Sequence, residues 1–322
     1  MQRRAFLSVS TIALTGLAAH WAAADPAAPA LAGTAGAQDV GDFVDLLGAS
    51  VDRLTAAGPA HEQHTNGLLT AHLDTVTDPL DTGHHRRDAF QRLHSLAADL
   101  AHTLAWRHFD HGHYFLAARH WIAALHNTHA LGDTDRAAGI LSDLAYQAAW
   151  RSDHTLAQDL LTRAHHPAAR SLLHLRLARS LAAAPKAARC ALNAAEHDLH
   201  RAGSDRPSWC TWMSEADLAV DTGQTLLDLS DTRPAHQLLT QGEHLLPAAR
   251  DKTRGIFLAY QAASHLTHHD IELAAHAAAH ALELGRRTHA PGCEQLAQRL
   301  IPAFRPYARQ HTVAHFLHLA SV

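Results

Sequence analysis

The sequence predicts an all-α protein, a solenoid of about five stacked helix pairs with extra helices before them and a cap after them. Three observations carry that prediction. Of 322 residues, 47% are hydrophobic, dominated by alanine and leucine, with only 17 glycines and 12 prolines. Alanine and leucine are the strongest helix formers, and the valine, isoleucine, threonine and aromatic runs that favour strands are missing. Second, the stretch 104–125 (LAWRHFDHGHYFLAARHWIAAL) reads as two amphipathic helices joined by a turn at Gly112. Third, Leu144, Ala145, Ala157, Leu161 and Ala164 lie 40 positions after Leu104, Ala105, Ala117, Trp121 and Ala124, the signature of an internal repeat. One helix pair cannot bury both of its faces, so successive pairs must stack.

In chain order, 42–57 carries Phe43, Leu46, Leu47, Val51 and Leu54 at helical spacing, and Gly58-Pro59 ends it. A second helix over 61–76 places Leu68, Leu69, Leu73 and Val76 on one face, with breaks expected at Asp78-Pro79 and Thr82-Gly83. A longer helix over 86–109 turns Phe90, Leu93, Leu96, Leu100 and Leu104 inward. The first repeat follows; Ala117 and Ala124 let its helices approach and Trp121 fills the gap between them. A loop is expected over 127–135 before the second copy. A degenerate third copy shows Leu177, Ala178, Ala188 and Ala195 with Pro185 at its turn. The fourth has Gly223, Leu226, Ala235, Leu239 and Gly242, with Pro234 opening its second helix. The fifth has Leu258, Ala262, Ala274, Ala281 and Leu282, closed by Pro291-Gly292. Leu296, Leu300, Phe304 and Tyr307 mark a capping segment. The expected organisation is a signal-like or linker segment 1–41, N-terminal helices 42–100, repeats 101–290 and capping helices 291–322.

The small residues at Ala105, Ala117 and Ala124, with Trp121 between the last two, resemble the tetratricopeptide repeat. The resemblance spans about 101–284 and implies a right-handed α-α superhelix. A second resemblance covers nearly the whole chain. The ordered segments RRAFL, GDFVDLLGASVDRL, LAW-x-HFDHGHY, LSDLAYQ, WMSEADLAVDTGQTLLDL and FRPYARQHTVAHFLHLA are similar to the region after the helix-turn-helix in bacterial Xre-type transcriptional regulators. That resemblance implies a cytoplasmic, non-enzymatic regulatory module binding a protein or peptide partner, with a homodimer as one arrangement. This sequence lacks the DNA-binding domain of those regulators, so direct nucleic-acid binding is not expected of it.

Composition supports the same exclusion. The formal net charge is -4, and no basic face of the kind nucleic acid requires is visible. No membrane span is expected. Arg3-Arg4-Ala5-Phe6-Leu7, the apolar run after it and Ala22-Ala23-Ala24 before Asp25 fit a twin-arginine export signal; export is the alternative to a cytoplasmic location, and an exported repeat protein, or a histidine-based metal-binding protein, the alternative function. Cys190, Cys210 and Cys293 form no CxxC pair and read as half-buried thiols.

The chain is histidine-rich, with 31. His108, His111 and His113 with Asp110 straddle the Gly112 turn, and His276 and His280 sit four apart on one helix, with His265, His268 and His269 nearby in sequence. Metal ligation requires imidazoles converging on one ion. Solvated turn and surface positions are the expectation for these and for His61, His64, His84-His85 and His165-His166, so no metal and no cofactor is assigned. No GxSxG, Walker-type or GxGxxG motif appears, and no enzyme is expected. Asp217, Asp221, Asp228 and Asp231 read as a solvated acidic face. In tetratricopeptide arrays the first helix of each pair lines the groove. By that register His102, Trp106, Phe109 and Asp110 from copy one, and Tyr146 and Trp150 from copy two, are the candidate ligand-binding residues. Trp106 and Tyr146 hold equivalent positions 40 apart and should be neighbours. The competing role for Trp106 or Trp150 is packing between helix pairs.

Overall fold

The computed structural model describes residues 37–55, 62–82, 87–181, 183–201 and 206–321. The RRAFL segment, Gly58-Pro59, His61, Gly83 and His84-His85 lie outside the described residues. All regular structure among the described residues is helical. The helices fall into two units: the first holds those up to His166 and the second those from Pro167 on, with residues 110–112 counted in the second.

The first unit contains α1 (Ala37–Thr55), α2 (Glu62–Thr82), α3 (Arg87–Asp110), α4 (Tyr114–Leu131), α5 (Thr134–Trp150) and α6 (His154–Leu161). The expected boundary between residues 100 and 101 falls inside the continuous α3. The pairs are α3–α4 and α5–α6. Their repeat positions are buried as expected: Ala105, Ala117, Ala124 and Ala157 are fully inaccessible, as is Trp121. Alanine is what allows the paired backbones to come close enough for one indole to fill the remaining space. Arg107 on α3 ties the N-terminal helices to the stack, donating to Thr65 Oγ1 at 2.5 Å, Asn66 Oδ1 at 2.8 Å and the Leu54 carbonyl at 3.3 Å.

Three sequence expectations are corrected here. In α1 the buried residues are Val44 and Val51, while Leu46 is 70% exposed and Phe43 is also exposed; in α2 Leu69, Leu73 and Val76 are buried but Leu68 is not. A helix that meets few neighbours buries a stripe narrower than its apolar face. Helix α2 also runs through Asp78-Pro79 to Thr82. Proline removes one donor, and near a helix end that loss strands only one carbonyl. Finally, no loop spans 127–135: α4 continues to Leu131, and Gly132-Asp133 alone make the connection.

The second unit contains a 3₁₀ turn (Pro167–Ala169), then α7 (Arg170–Ser180), α8 (Pro185–Arg201), α9 (Glu215–Asp228), α10 (Thr232–Leu245), α11 (Asp251–Thr267), α12 (Ile271–Arg287), α13 (Pro291–Gln298), α14 (Ile301–Phe304) and α15 (His311–Ser321). The pairs are α7–α8, α9–α10 and α11–α12. Pro185 and Pro291 are not turn residues but open α8 and α13, where a missing N–H costs nothing. Helices α9 and α10 cross almost backbone to backbone: a Cβ on Gly242 would overlap Val220 Cγ2 and lie 2.9 Å from the Ala216 carbonyl oxygen. The terminal helices close over the fifth pair, with Phe304 and Phe316 fully buried, edge to face at 5.0 Å. Cys210 and Cys293 are buried and Cys190 is exposed, rather than all three being half-buried. Burial pushes the Cys293 thiol up to about 12.

One joint recurs throughout. Gly112, Gly132, Ser152, Ser230, His269 and His289 all have positive φ, between 50° and 74°. After each, the next amide reaches back five residues: His113 to His108, Asp133 to Thr128, Asp153 to Ala148, Asp231 to Leu226, Asp270 to His265 and Ala290 to Gly285, at 2.8–3.0 Å. This is the Schellman closure, which satisfies carbonyls left open at a helix end. Four of the six following residues are aspartates, placed as the N-cap of the next helix.

Candidate functional site

The first helices of the two pairs in the first unit, α3 and α5, bring together an aromatic cluster around one carboxylate. Asp143 on α5 is 7% exposed. Its Oδ2 accepts from His102 Nε2 at 2.7 Å and from Trp106 Nε1 at 3.1 Å, both on α3. A buried carboxylate needs such donors to remain ionised without a large cost. Trp106 then packs edge to face on Trp121 at 5.5 Å and on Phe109 at 5.6 Å, and lies tilted 6.0 Å from Tyr146. Phe109 is the hub. Besides Trp106 it meets Tyr114, Trp121, Tyr146 and Trp150, with centroids 5.6–6.0 Å away. Trp150 Nε1 donates to the Tyr114 hydroxyl at 3.0 Å, and the Arg151 guanidinium stands 6.0 Å from the Tyr114 ring. Pairs of this geometry contribute about 0.5–1.5 kcal/mol each beyond area burial.

Five of the six residues singled out from sequence therefore meet in one cluster: His102, Trp106, Phe109, Tyr146 and Trp150. Phe109 is buried at 7% and serves as packing. The other four are half-buried, so each both packs between pairs and keeps part of its surface accessible. Asp110 is not in the cluster; it ends α3 and pairs with Lys252. Sequence reasoning missed Asp143 and Tyr114. The available signal was spacing, since Asp143 lies 41 residues after His102, close to the repeat length. Two buried polar atoms beside these residues have no hydrogen-bond partner, Trp121 Nε1 and Gln147 Oε1.

Of the histidines at the Gly112 turn, His113 is exposed and His108 and His111 are half-buried. His108 stacks in parallel on His120 at 5.2 Å and lies 5.9 Å from His113. Burial, the His108 charge and the Arg119 charge together lower the His120 imidazole to about 4. Its folded value is below the usual one, so the folded state favours the neutral ring. The stability this gives is complete above about pH 6.5 and is lost as pH falls toward 4. Thermal unfolding midpoints measured across that window should fall less steeply for His120→Gln than for the parent chain.

In the second unit Asp217 and Asp221 depart from the expected solvated face, while Asp228 is exposed and Asp231 is the N-cap of α10. Asp217 is 5% exposed and bound by both Arg250 guanidinium nitrogens at 2.8 Å. Asp221 accepts from Arg179, which also reaches the Tyr260 hydroxyl, each at 3.2 Å. Burial raises both the Asp221 carboxyl and the Tyr260 hydroxyl, opposed by the Arg179 charge. Helices α7, α9 and α11 are thus joined by a chain of charge-assisted bonds. Among the described residues no helix is long and apolar enough to cross a membrane.

No family model matches the chain, and no curated protein matches it. A solved structure does: a Rap protein in complex with competence and sporulation factor, with a TM-score of 0.51 and 10% identity, covering 88% of this chain and 97% of that one. At that identity the likeness establishes the fold, and the fold is a tetratricopeptide-like solenoid of α-helical pairs.

Proposed function

We propose that this chain is a non-enzymatic regulatory module that binds a peptide or protein partner on the face formed by α3 and α5. The observation that carries the reading is the placement of Trp106, Tyr146 and Trp150, half-exposed and contiguous, on the first helices of two adjacent pairs, around the buried Asp143. Tryptophan and tyrosine anchors beside polar groups are what recognition surfaces concentrate. The structural neighbour was itself solved as a complex, which agrees with a binding role for this architecture. The resemblance of the segment order to Xre-type regulators is the ground for reading the chain as the sensor region of such a regulator. The runner-up is a binding protein exported through the twin-arginine pathway; a mature N-terminus at Asp25 in protein from its own cells would favour it.

The test is a screen of short synthetic peptides against the purified chain, with tryptophan fluorescence titrations of the hits. Binders are expected, and Trp106→Ala or Trp150→Ala should weaken them about 30-fold, the equivalent of about 2 kcal/mol for a central anchor. Asp143→Asn should weaken them less. Binders indifferent to all three substitutions would place recognition elsewhere on the chain, and a screen with no binders would count against the reading.

A further inference from the structure

We propose that His236, His265 and His268 form a pH-sensitive latch that holds α10 of the fourth pair against α11 of the fifth, closed while the imidazoles are neutral and released when they take up protons. The two helices run antiparallel, and the two ends of their contact are held differently. Where the chain passes from one helix to the other, Arg254 on α11 donates to Glu243 on α10, and to the Leu246 carbonyl at 3.0 Å. Midway, Gln261 Nε2 donates to the Leu239 carbonyl at 3.4 Å. At the far end three imidazoles meet. The His236 ring stands edge to face against His265 at 5.0 Å and against His268 at 5.2 Å. His265 and His268 are three residues apart on α11 and so share one face.

Neutral rings pack this way at no electrostatic cost, and charged rings do not. His236 Nδ1 lies 3.2 Å from the hydroxyl of Ser264, a residue with no accessible surface. His268 Nε2 donates to the Thr232 carbonyl at 3.3 Å. His265 Nδ1 is buried with no hydrogen-bond partner. A proton placed there finds no acceptor in reach, since the Asp270 carboxylate is 3.9 Å away and its side chain is 54% exposed. The charged and titratable groups bearing on His265 are therefore His236 from α10, His268 from α11 and Asp270 at the α12 N-cap. Asp231, the N-cap of α10, is engaged by Arg189 at 2.5 Å. Burial and the His236 charge lower the His265 imidazole, with Asp270 opposing and His268 adding to the effect. The stability that the neutral ring gives is complete above about pH 6.5 and is lost as pH falls through the lowered value. The His265 backbone is pinned, because its carbonyl accepts from the Asp270 N–H at 3.0 Å in the joint. Repulsion is relieved by α10 swinging away at its N-terminal end, about the Arg254 contacts.

The test is hydrogen–deuterium exchange of the full chain at about pH 8 and about pH 5.5, on either side of the ordinary histidine value. Labelling times are scaled to the chemical exchange rate at each pH, and peptides are resolved by mass spectrometry. On acidification, amides in 232–239 and 262–269 should lose protection about tenfold more than those in 240–246 and 250–257, a conservative reading of like charges about 5 Å apart in a half-buried site. His236→Gln removes the charge and keeps a side chain able to bond Ser264; it should abolish most of that difference, and His268→Gln part of it. His244→Gln is the control on the same helix, its ring being exposed and bonded to the Thr240 carbonyl, and it should change nothing. Circular dichroism at both pH values checks folding, and His265→Gln replaces His236→Gln if the latter does not fold. Unchanged protection in the parent chain, as rotation of the rings into solvent would give, overturns the proposal. So does a loss spread evenly over the second unit, or one that persists in His236→Gln.

Discussion

Trp121→Ala is expected to lower the unfolding free energy by about 3–5 kcal/mol, the usual range for truncating a large aromatic in a packed core. Trp121 has no accessible surface and touches Trp106 and Phe109, so the cavity would open where α3 and α4 are held together. The neighbouring helices have little room to collapse into it, because Ala117 and Ala124 on the same stripe are already fully buried. The indole N–H has no partner, and leaving such a donor unsatisfied costs about 1–3 kcal/mol. Trp121→Phe removes that donor while keeping most of the ring, so it should cost far less than alanine. Chemical denaturation of the two variants distinguishes volume from hydrogen bonding: if phenylalanine is as damaging as alanine, the indole nitrogen has a partner and the packing argument is wrong.

The second large effect is expected at Asp217. Its carboxylate accepts from both Arg250 nitrogens and from the backbone N–H and hydroxyl of Ser214, at 2.7–3.0 Å. It serves at once as half of a capping box at the start of α9 and as the partner that holds Arg250. Removing one side of a buried pair costs about 3–5 kcal/mol. Because the Arg250 side chain keeps 27% of its surface in water, Asp217→Ala should fall at the lower end of that range. Arg287→Ala is the control. That arginine pairs with Asp251 at a similar 2.8 Å, but the two side chains are 63% and 40% exposed, and such pairs contribute about 0–1 kcal/mol. Urea midpoints measured for both variants at low and high salt should differ in size and in salt sensitivity. A loss at Asp217 no larger than that at Arg287 would mean that burial does not set the strength of the pair.

The contrast between these residues shows what the sequence could and could not convey. The 40-residue spacing of small residues located the pairs, and it correctly made Trp106 and Tyr146 neighbours, because a repeat places equivalent positions side by side. It could not place Asp217 or Asp221, whose cations lie 33 and 42 residues away on other helices. Carboxylates recurring along one stretch look solvated until the arginines opposite are known. The same blindness hid Asp143, since periodicity within one helix says nothing of which face of a distant helix it meets. Helix ends were misread for a different reason. Proline and glycine read as breaks, yet Pro79 lies inside a helix and Pro185 and Pro291 open theirs, while Ser152, Ser230, His269 and His289 make turns without glycine.

Those turns bear on how such a chain can change over time. Each joint closes through hydrogen bonds among its own half-dozen residues, so it asks nothing particular of the helices it links. A helix pair can be inserted or deleted between two joints without redesign of the joints themselves. Between joints, selection acts on small residues at the crossings, on apolar volume and on buried pairs such as Asp217 with Arg250. Sequence there is free to drift until little identity survives, while the order and direction of the helices persist.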